Sequence, residues 1–203
     1  MPRPVLTAAD LETVAEGAEL AITPDTLVTP LAREEAERRR ITLRVVEPNT
    51  SARVVAIGAD HGGFELKEKL KGFLRDWGYI VHDLGTDSAD AVDYPDFAEA
   101  VANSVARGDA LCGVMIDSAG IGSSIAANKI PGIRAALCYD RATARNSRQH
   151  NNANVLTLGA RLISAEAARE ILAVFLETPF AGGRHQRRLD KIRAIESRFS
   201  RPG

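Results

Sequence analysis

From position 53 onward the chain alternates two kinds of hydrophobic pattern. Short apolar runs have the length and bounding residues of strands: "RVVAIGA" (53–59), "YIVHDLG" (79–85), "LCGVMID" (111–117), "GIRAALC" (132–138) and "NVLTLGA" (154–160). Between them lie stretches with apolar residues three and four positions apart. In "FELKEKLKGFLRDWG", Leu66, Leu70, Phe73, Leu74 and Trp77 share one helical face, and Gly78 is placed to end the helix. In "YPDFAEAVANSVARG", Phe97, Val101 and Val105 are in register. Further helices are predicted over "SSIAANK", "RATARNSRQH", "SAEAAREILAVFLET" and "RHQRRLDKIRAIESRF". Five strands alternating with helices predict an α/β fold, a parallel sheet with helices on both faces. Ligands of such sheets bind beyond the carboxyl ends of the strands, which selects the loops "ADHGG", "DSAGIGSS", "CYDRAT" and "GARLIS".

Residues 1–50 read differently. "TAADLETVAEG" predicts a helix with Thr7 as N-cap, and "TPLAREEAERRRI" a second with Pro30 in its first turn. "TLRVVEPNTSAR" predicts a strand running into a polar linker. This small N-terminal α/β extension is too short for a large core. It either docks on the main domain, residues 51–203, or acts as an adaptor.

Composition narrows the function. Of 203 residues, 45% are hydrophobic and 26% charged, and the formal net charge is −1, so no global basic field favours nucleic acid. No apolar run approaches the ~20 residues that span a bilayer, and "MPRPVLTAADLE" lacks the apolar centre of a signal peptide. Two cysteines, Cys112 and Cys138, are too few for a disulfide framework and read as buried free thiols, so a cytoplasmic protein is expected.

The candidate chemistry gathers at strand ends. The loop "SAGIGSS" carries Gly120 and Gly122, whose small neighbours let backbone N–H groups converge on an anion ahead of a helix. It lacks the third glycine and the first-strand position of a dinucleotide fingerprint. Asp60 and His61 precede Gly62 and Gly63 after the first strand, and His150 and Asn151 stand just before the last. Arg184 and Arg188 lie one helical turn apart, a spacing that suits a phosphate. No metal-ligand spacing is present among them. The implied chemistry is proton movement on a phosphorylated small molecule.

The words "GADHGGFELK", "DYPDFA", "GIGSSIAANK", "GIRAAL", "SRQHNNANVLTLGAR" and "GGRHQRR", in order, resemble the ribose-5-phosphate isomerase B family, which includes galactose-6-phosphate isomerase subunits. The resemblance runs from residue 53 to about 197. It implies a Rossmann-like fold and a homodimer, or a tetramer of paired dimers, with sites between subunits. It also implies aldose–ketose isomerisation of a sugar phosphate, most simply ribose 5-phosphate to ribulose 5-phosphate, without metal or cofactor. Carried over by position, His61, Arg161, Arg184 and Arg188 contact phosphate, and Asp60, Tyr94 and Asn151 line the substrate site. His150 helps open the sugar ring. The loop from Ser118 through Gly120 and Gly122 to Ser123 offers N–H groups to the enediolate oxygen.

Asp117 departs from the pattern. Family members carry a catalytic cysteine there or a glutamate six positions later, where this chain has Ser123, which is no comparable base. Ala119 replaces a hydroxyl residue, and Cys112, an odd number of strand positions away, faces the other side. Asp117 is the expected base: ionised at neutral pH, with burial expected to raise its basicity. The competing readings are that Asp117 caps the helix or hydrogen-bonds the loop, and that the protein is a silent or altered-specificity sugar-phosphate-binding or assembly protein. A second resemblance joins "LVTPLAREEAERRRITL" to a TP-x-A-R segment of bacterial microcompartment enzymes. It implies targeting to a shell or a partner enzyme.

Overall fold

The computed structural model describes residues 4–22, 24, 26–45 and 53–199. The chain divides into two compact units, residues 1–50 and 51–203.

In the first unit, two parallel pairs form: β1 (Val5–Leu6) with β3 (Leu27–Val28), and β2 (Glu19–Ile22) with β4 (Thr42–Val45). The helix expected over 7–17 is a single 3-10 turn, Ala9–Leu11. Thr7 does not cap it. Its N–H and hydroxyl both donate to the Asp10 carboxylate, at 2.8 and 2.7 Å, closing a local turn. Two-residue strands are too short to show a period and β2 reads Leu-Ala-Ile after Glu19, without alternation in the sequence, so the pattern missed three strands. Helix α1 (Pro30–Arg38) begins where expected. Thr29 Oγ1 accepts from Ala32 N–H at 3.3 Å and donates to the Leu6 carbonyl at 3.2 Å, and Pro30 fills a position that needs no N–H. Ala32 and Ala36 pack with Leu11 and Ile41 in a core made only of this unit's residues. The linker expected at 46–52 lies outside the described residues.

The second unit holds a five-stranded parallel sheet in the order β6-β5-β7-β9-β8. Its strands are β5 (Val54–Ala59), β6 (Ile80–Asp83), β7 (Cys112–Asp117), β8 (Ala135–Leu137) and β9 (Val155–Gly159). Alternation along β7 decides the two faces. Cys112, Val114 and Ile116 pack against α2 (Phe64–Asp76), α5 (Arg141–Asn151) and α6 (Ala165–Glu177). Met115 packs with α3 (Tyr94–Ala106) and α4 (Ile121–Ala127). Helix α4 starts two residues earlier than the pattern predicts, and α7 (Arg184–Phe199) follows α6. Gly78, at φ 81°, receives the chain after α2 as expected. No helix among the described residues is long and apolar enough to cross a membrane.

One buried charge ties α2 to the sheet. Lys67, fully buried, places its Nζ 2.7 and 2.8 Å from the two oxygens of Asp83, the last residue of β6. Lys71 bonds the same carboxylate, and Gly85 N–H donates to it at 3.1 Å. Burial alone pushes the Asp83 carboxyl up, but the two ammonium groups and the N–H outweigh it and hold it below the usual carboxylate range. Asp83→Ala leaves Lys67 buried without its main partner, and is expected to cost about 3 kcal/mol in urea denaturation. Because the folded value is depressed, the contribution is present above the unfolded carboxyl value of about 4 and is lost as pH falls through the folded one. A loss below ~0.5 kcal/mol, or one that persists unchanged at low pH, contradicts this assignment.

Candidate active site

Asp117 is the last residue of β7, paired with Gly159 of β9 and only 4% exposed. The chain turns back immediately after it. Gly120 stands at φ 78°, where a Cβ would lie 2.5 Å from the Leu137 side chain and 2.8 Å from the backbone of Leu158. The turn aims the loop's donors at the aspartate. Ala119 N–H donates at 2.7 Å and Gly120 N–H makes a very short contact to Oδ1. Ser123 donates its N–H at 3.0 Å and its hydroxyl at 2.5 Å to Oδ2. The anion nest read in "SAGIGSS" is therefore filled by the chain's own carboxylate. The competing use of Asp117 as a loop-holding group is what the geometry displays, and the N–H groups at 119, 120 and 123 are engaged by it. Ser123, set aside in the sequence as too weak a base, turns out to be a donor to Asp117.

Two further loops close on this one. Ala160 N–H donates to the Asp117 carbonyl at 2.8 Å, and Arg161 N–H to the Ser118 carbonyl at 3.1 Å. A Cβ on Gly62 would meet Ser118 Oγ at 2.4 Å and Asp60 Oδ1 at 3.3 Å, so the loops after β5 and β7 touch. Tyr94, at the start of α3, lays its ring against Gly122, where a Cβ would stand 2.5 Å from the ring. His61 Nδ1 lies 3.2 Å from the Val92 carbonyl and 3.3 Å from the Val92 N–H, so the ring is held against the backbone at Val92.

Asp60 is also buried, but more sparsely held. Gly63 N–H donates to Oδ1 at 3.0 Å, with a lesser contribution from Gly62. Burial pushes its carboxyl above the ordinary value, and the Asp117 charge pushes the same way. The Gly63 and Gly62 N–H groups and His61 oppose this without cancelling it.

The remaining candidates form a second group. His150, in the last turn of α5, stacks on His185 with ring centroids 4.3 Å apart and planes 7° off parallel. Asn146 Nδ2 lies 3.0 Å from His150 Nδ1, and Arg184 Nε is 3.4 Å from His185 Nε2. Burial lowers the His185 value, and His150, Arg184 and Arg188 lower it further. The word "GGRH" marked this place, but only the fold shows that His185 is the platform under His150.

One chain does not bring the two groups together. Asp117 and Gly159 mark the carboxyl ends of β7 and β9, whereas the Asn154 N–H bonds the Arg134 carbonyl at the amino ends. Helix α5 leaves the carboxyl end of β8 and spans eleven residues, roughly 16 Å, before Asn151 reaches the amino ends. Asp60, His61, Tyr94, Ser118, Gly120, Gly122, Ser123 and Arg161 thus sit at one end of the sheet. His150, Asn151, Arg184 and Arg188 belong to the other group.

An open parallel sheet with polar loops at its carboxyl ends defines a small-molecule α/β site. The Ribose/Galactose Isomerase family model matches residues 55–192, and the chain belongs to that family of isomerases. Ribose-5-phosphate isomerase B of Escherichia coli is 45% identical over 144 residues, covering 71% of this chain and 97% of that protein. D-erythrulose-4-phosphate isomerase of Pectobacterium atrosepticum is 39% identical over 139 residues, 68% of this chain and 91% of that protein. The solved structure of Clostridium thermocellum ribose-5-phosphate isomerase B superposes with a TM-score of 0.72 at 47% identity, over 72% of this chain and 99% of that one.

Neither cysteine belongs to the loop cluster. Cys112 lies on the opposite face of β7, and burial pushes its thiol up to about 12 against a small opposing effect of Arg148. Burial also raises Cys138, which Ser147 and Thr143 only partly offset. Thiolate is the species that alkylates, so native protein is expected to resist iodoacetamide and keep its turnover. Rapid inactivation that bound sugar phosphate prevents would place a thiol at the site.

Proposed function

We infer that the protein is a sugar-phosphate isomerase that interconverts an aldose phosphate and a ketose phosphate, with ribose 5-phosphate and ribulose 5-phosphate as the favoured pair. The division of His, Arg and Asp residues between two ends of one sheet carries the further reading that two copies complete each site. Asp60, His61, Tyr94, Arg161 and the 118–123 loop come from one copy. His150, Asn151, Arg184 and Arg188 come from the other. Exposed apolar side chains support such an interface: Ile121 and Ile125 on α4, and Ile192, Ile195 and Phe199 on α7. The α7 residues line a groove of about 650 Å³ that also includes Asn151.

Each group then has a task. The arginines and His61 bind the phosphate through charge-assisted hydrogen bonds. His150, held flat against His185, moves the proton that opens the sugar ring. The Ser118 hydroxyl and the N–H groups of Ile121 and Gly122, which Asp117 does not engage, face the enediolate oxygen. The family match starts at residue 55, and residues 1–50 have a core of their own, so we assign them an adaptor role. Their TP-x-A-R segment favours a microcompartment shell or a partner enzyme.

Mixing two inactive variants tests the shared site. Arg161→Ala and Arg184→Ala are each expected to lose most ribose 5-phosphate turnover. After subunit exchange, half of the dimers are mixed and carry one intact site of two, so about a quarter of wild-type activity returns. No recovery after verified exchange contradicts a site built from two copies.

A further inference from the structure

The isomerase reading leaves open which group takes the carbon-bound proton. We propose that Asp60, at the end of β5, is the base that carries the proton between C1 and C2, and that Asp117 holds the loop beside it. This rests on the isomerase reading above and adds the identity of the base.

Two buried carboxylates face the loops at the carboxyl ends of β5 and β7, and their surroundings differ. Asp117 accepts three backbone N–H groups and a hydroxyl, one set on each oxygen. Both of its oxygens are therefore engaged by fixed donors of the loop. Asp60 has its principal donor, Gly63 N–H, on one oxygen. It is 6% exposed, beside His61 and in the loop that touches Ser118. The charged groups acting on it are Asp117, from the end of β7, and its neighbour His61, together with the N–H groups of Gly62 and Gly63 at the start of α2. Burial and the fixed negative charge of Asp117 raise its basicity. The pair thus separates into one carboxylate engaged on both oxygens by the loop and one whose principal donor sits on a single oxygen.

The step balances without a cofactor. The C2–H bond of the open-chain aldose breaks, its proton passes to a carboxylate oxygen of Asp60, and the electron pair moves into the C1–C2 bond as O1 takes the negative charge. The neutral Asp60 carboxyl, whose proton exchanges in part with solvent, then protonates C1, and the O2 hydroxyl proton passes to O1. A ketone is left at C2 and the carboxylate is restored.

The test uses full-length protein, ribose 5-phosphate and D₂O. Wild type is expected to exchange solvent deuterium into the sugar during turnover. Asp60→Asn should slow both exchange and turnover by about 10²–10⁴-fold, the usual worth of a general base. Inorganic phosphate should inhibit or bind the variant within about twofold of wild type, since the arginines and the His61 side chain that bind it are unchanged. Asp60→Glu should restore part of the rate. If Asp60→Asn does not fold, the Glu variant and the wild-type pH–rate profile decide. The acidic limb of kcat must lie above the ordinary carboxylate value of about 4 and move on Asp60→Glu. Exchange in Asp60→Asn within about threefold of wild type overturns the assignment, as does loss of phosphate binding in step with exchange or an acidic limb that Asp60→Glu leaves in place. Absence of turnover in wild type with any sugar phosphate removes the isomerase reading itself. That failure is visible before any variant is made.

Discussion

The carboxylate of Asp117, buried at the end of the central strand and wrapped by the loop that follows, organises the carboxyl end of the sheet. Its donors at 119, 120 and 123 fix where the loop turns and where α4 begins. Its carbonyl anchors Ala160, so the loop after β9 takes its place from the same residue. With the turn fixed, Gly122 presents a flat patch to the Tyr94 ring, and Ser118 meets the loop that bears Asp60 and His61. An unpaired buried charge costs several kcal/mol. Here the compensation comes wholly from the chain, in the place where a phosphate or an oxyanion would otherwise be expected.

A fixed anion in that nest reshapes the chemistry around it. It leaves fewer loop donors for a developing oxyanion, and it raises the basicity of the second carboxylate nearby. The cationic groups, meanwhile, gather on α5 and α7 around the stacked pair His150 and His185. Two copies meeting through α4 and α7 would bring cations to carboxylates, a complementarity that also fits the apolar edges of both groups.

Much of this was legible in the residues. The five strands and their helices followed from apolar runs alternating with helical stripes, and the opposite facing of Cys112 and Asp117 followed from the strand period alone. The word matches carried the family, which the 55–192 match shows. What stayed hidden had physical causes. The three strands missed in the first unit, β1, β2 and β3, are two to four residues long and are set by pairing rather than by an alternation in the sequence. The reversal of Thr7 and Asp10 depends on which group donates, a choice that sequence spacing does not fix. Asp117 was marked as the odd residue, but a short carboxylate at a strand end serves equally as a base or as the filling of a nest. Only the positions of four donors separate those uses.

The central claim is that Asp117 holds the loop, and the stability of Asp117→Asn tests it most directly. Asparagine keeps the shape and half the acceptors, but its amide NH₂ would face the Ser123 N–H, or on flipping the Ala119 and Gly120 N–H groups, as donor against donor. Urea denaturation of the full chain should therefore show a loss of about 1–3 kcal/mol, the cost of leaving buried polar groups unsatisfied. A variant as stable as wild type, or more stable, would contradict the account and return Asp117 to the role of a catalytic base.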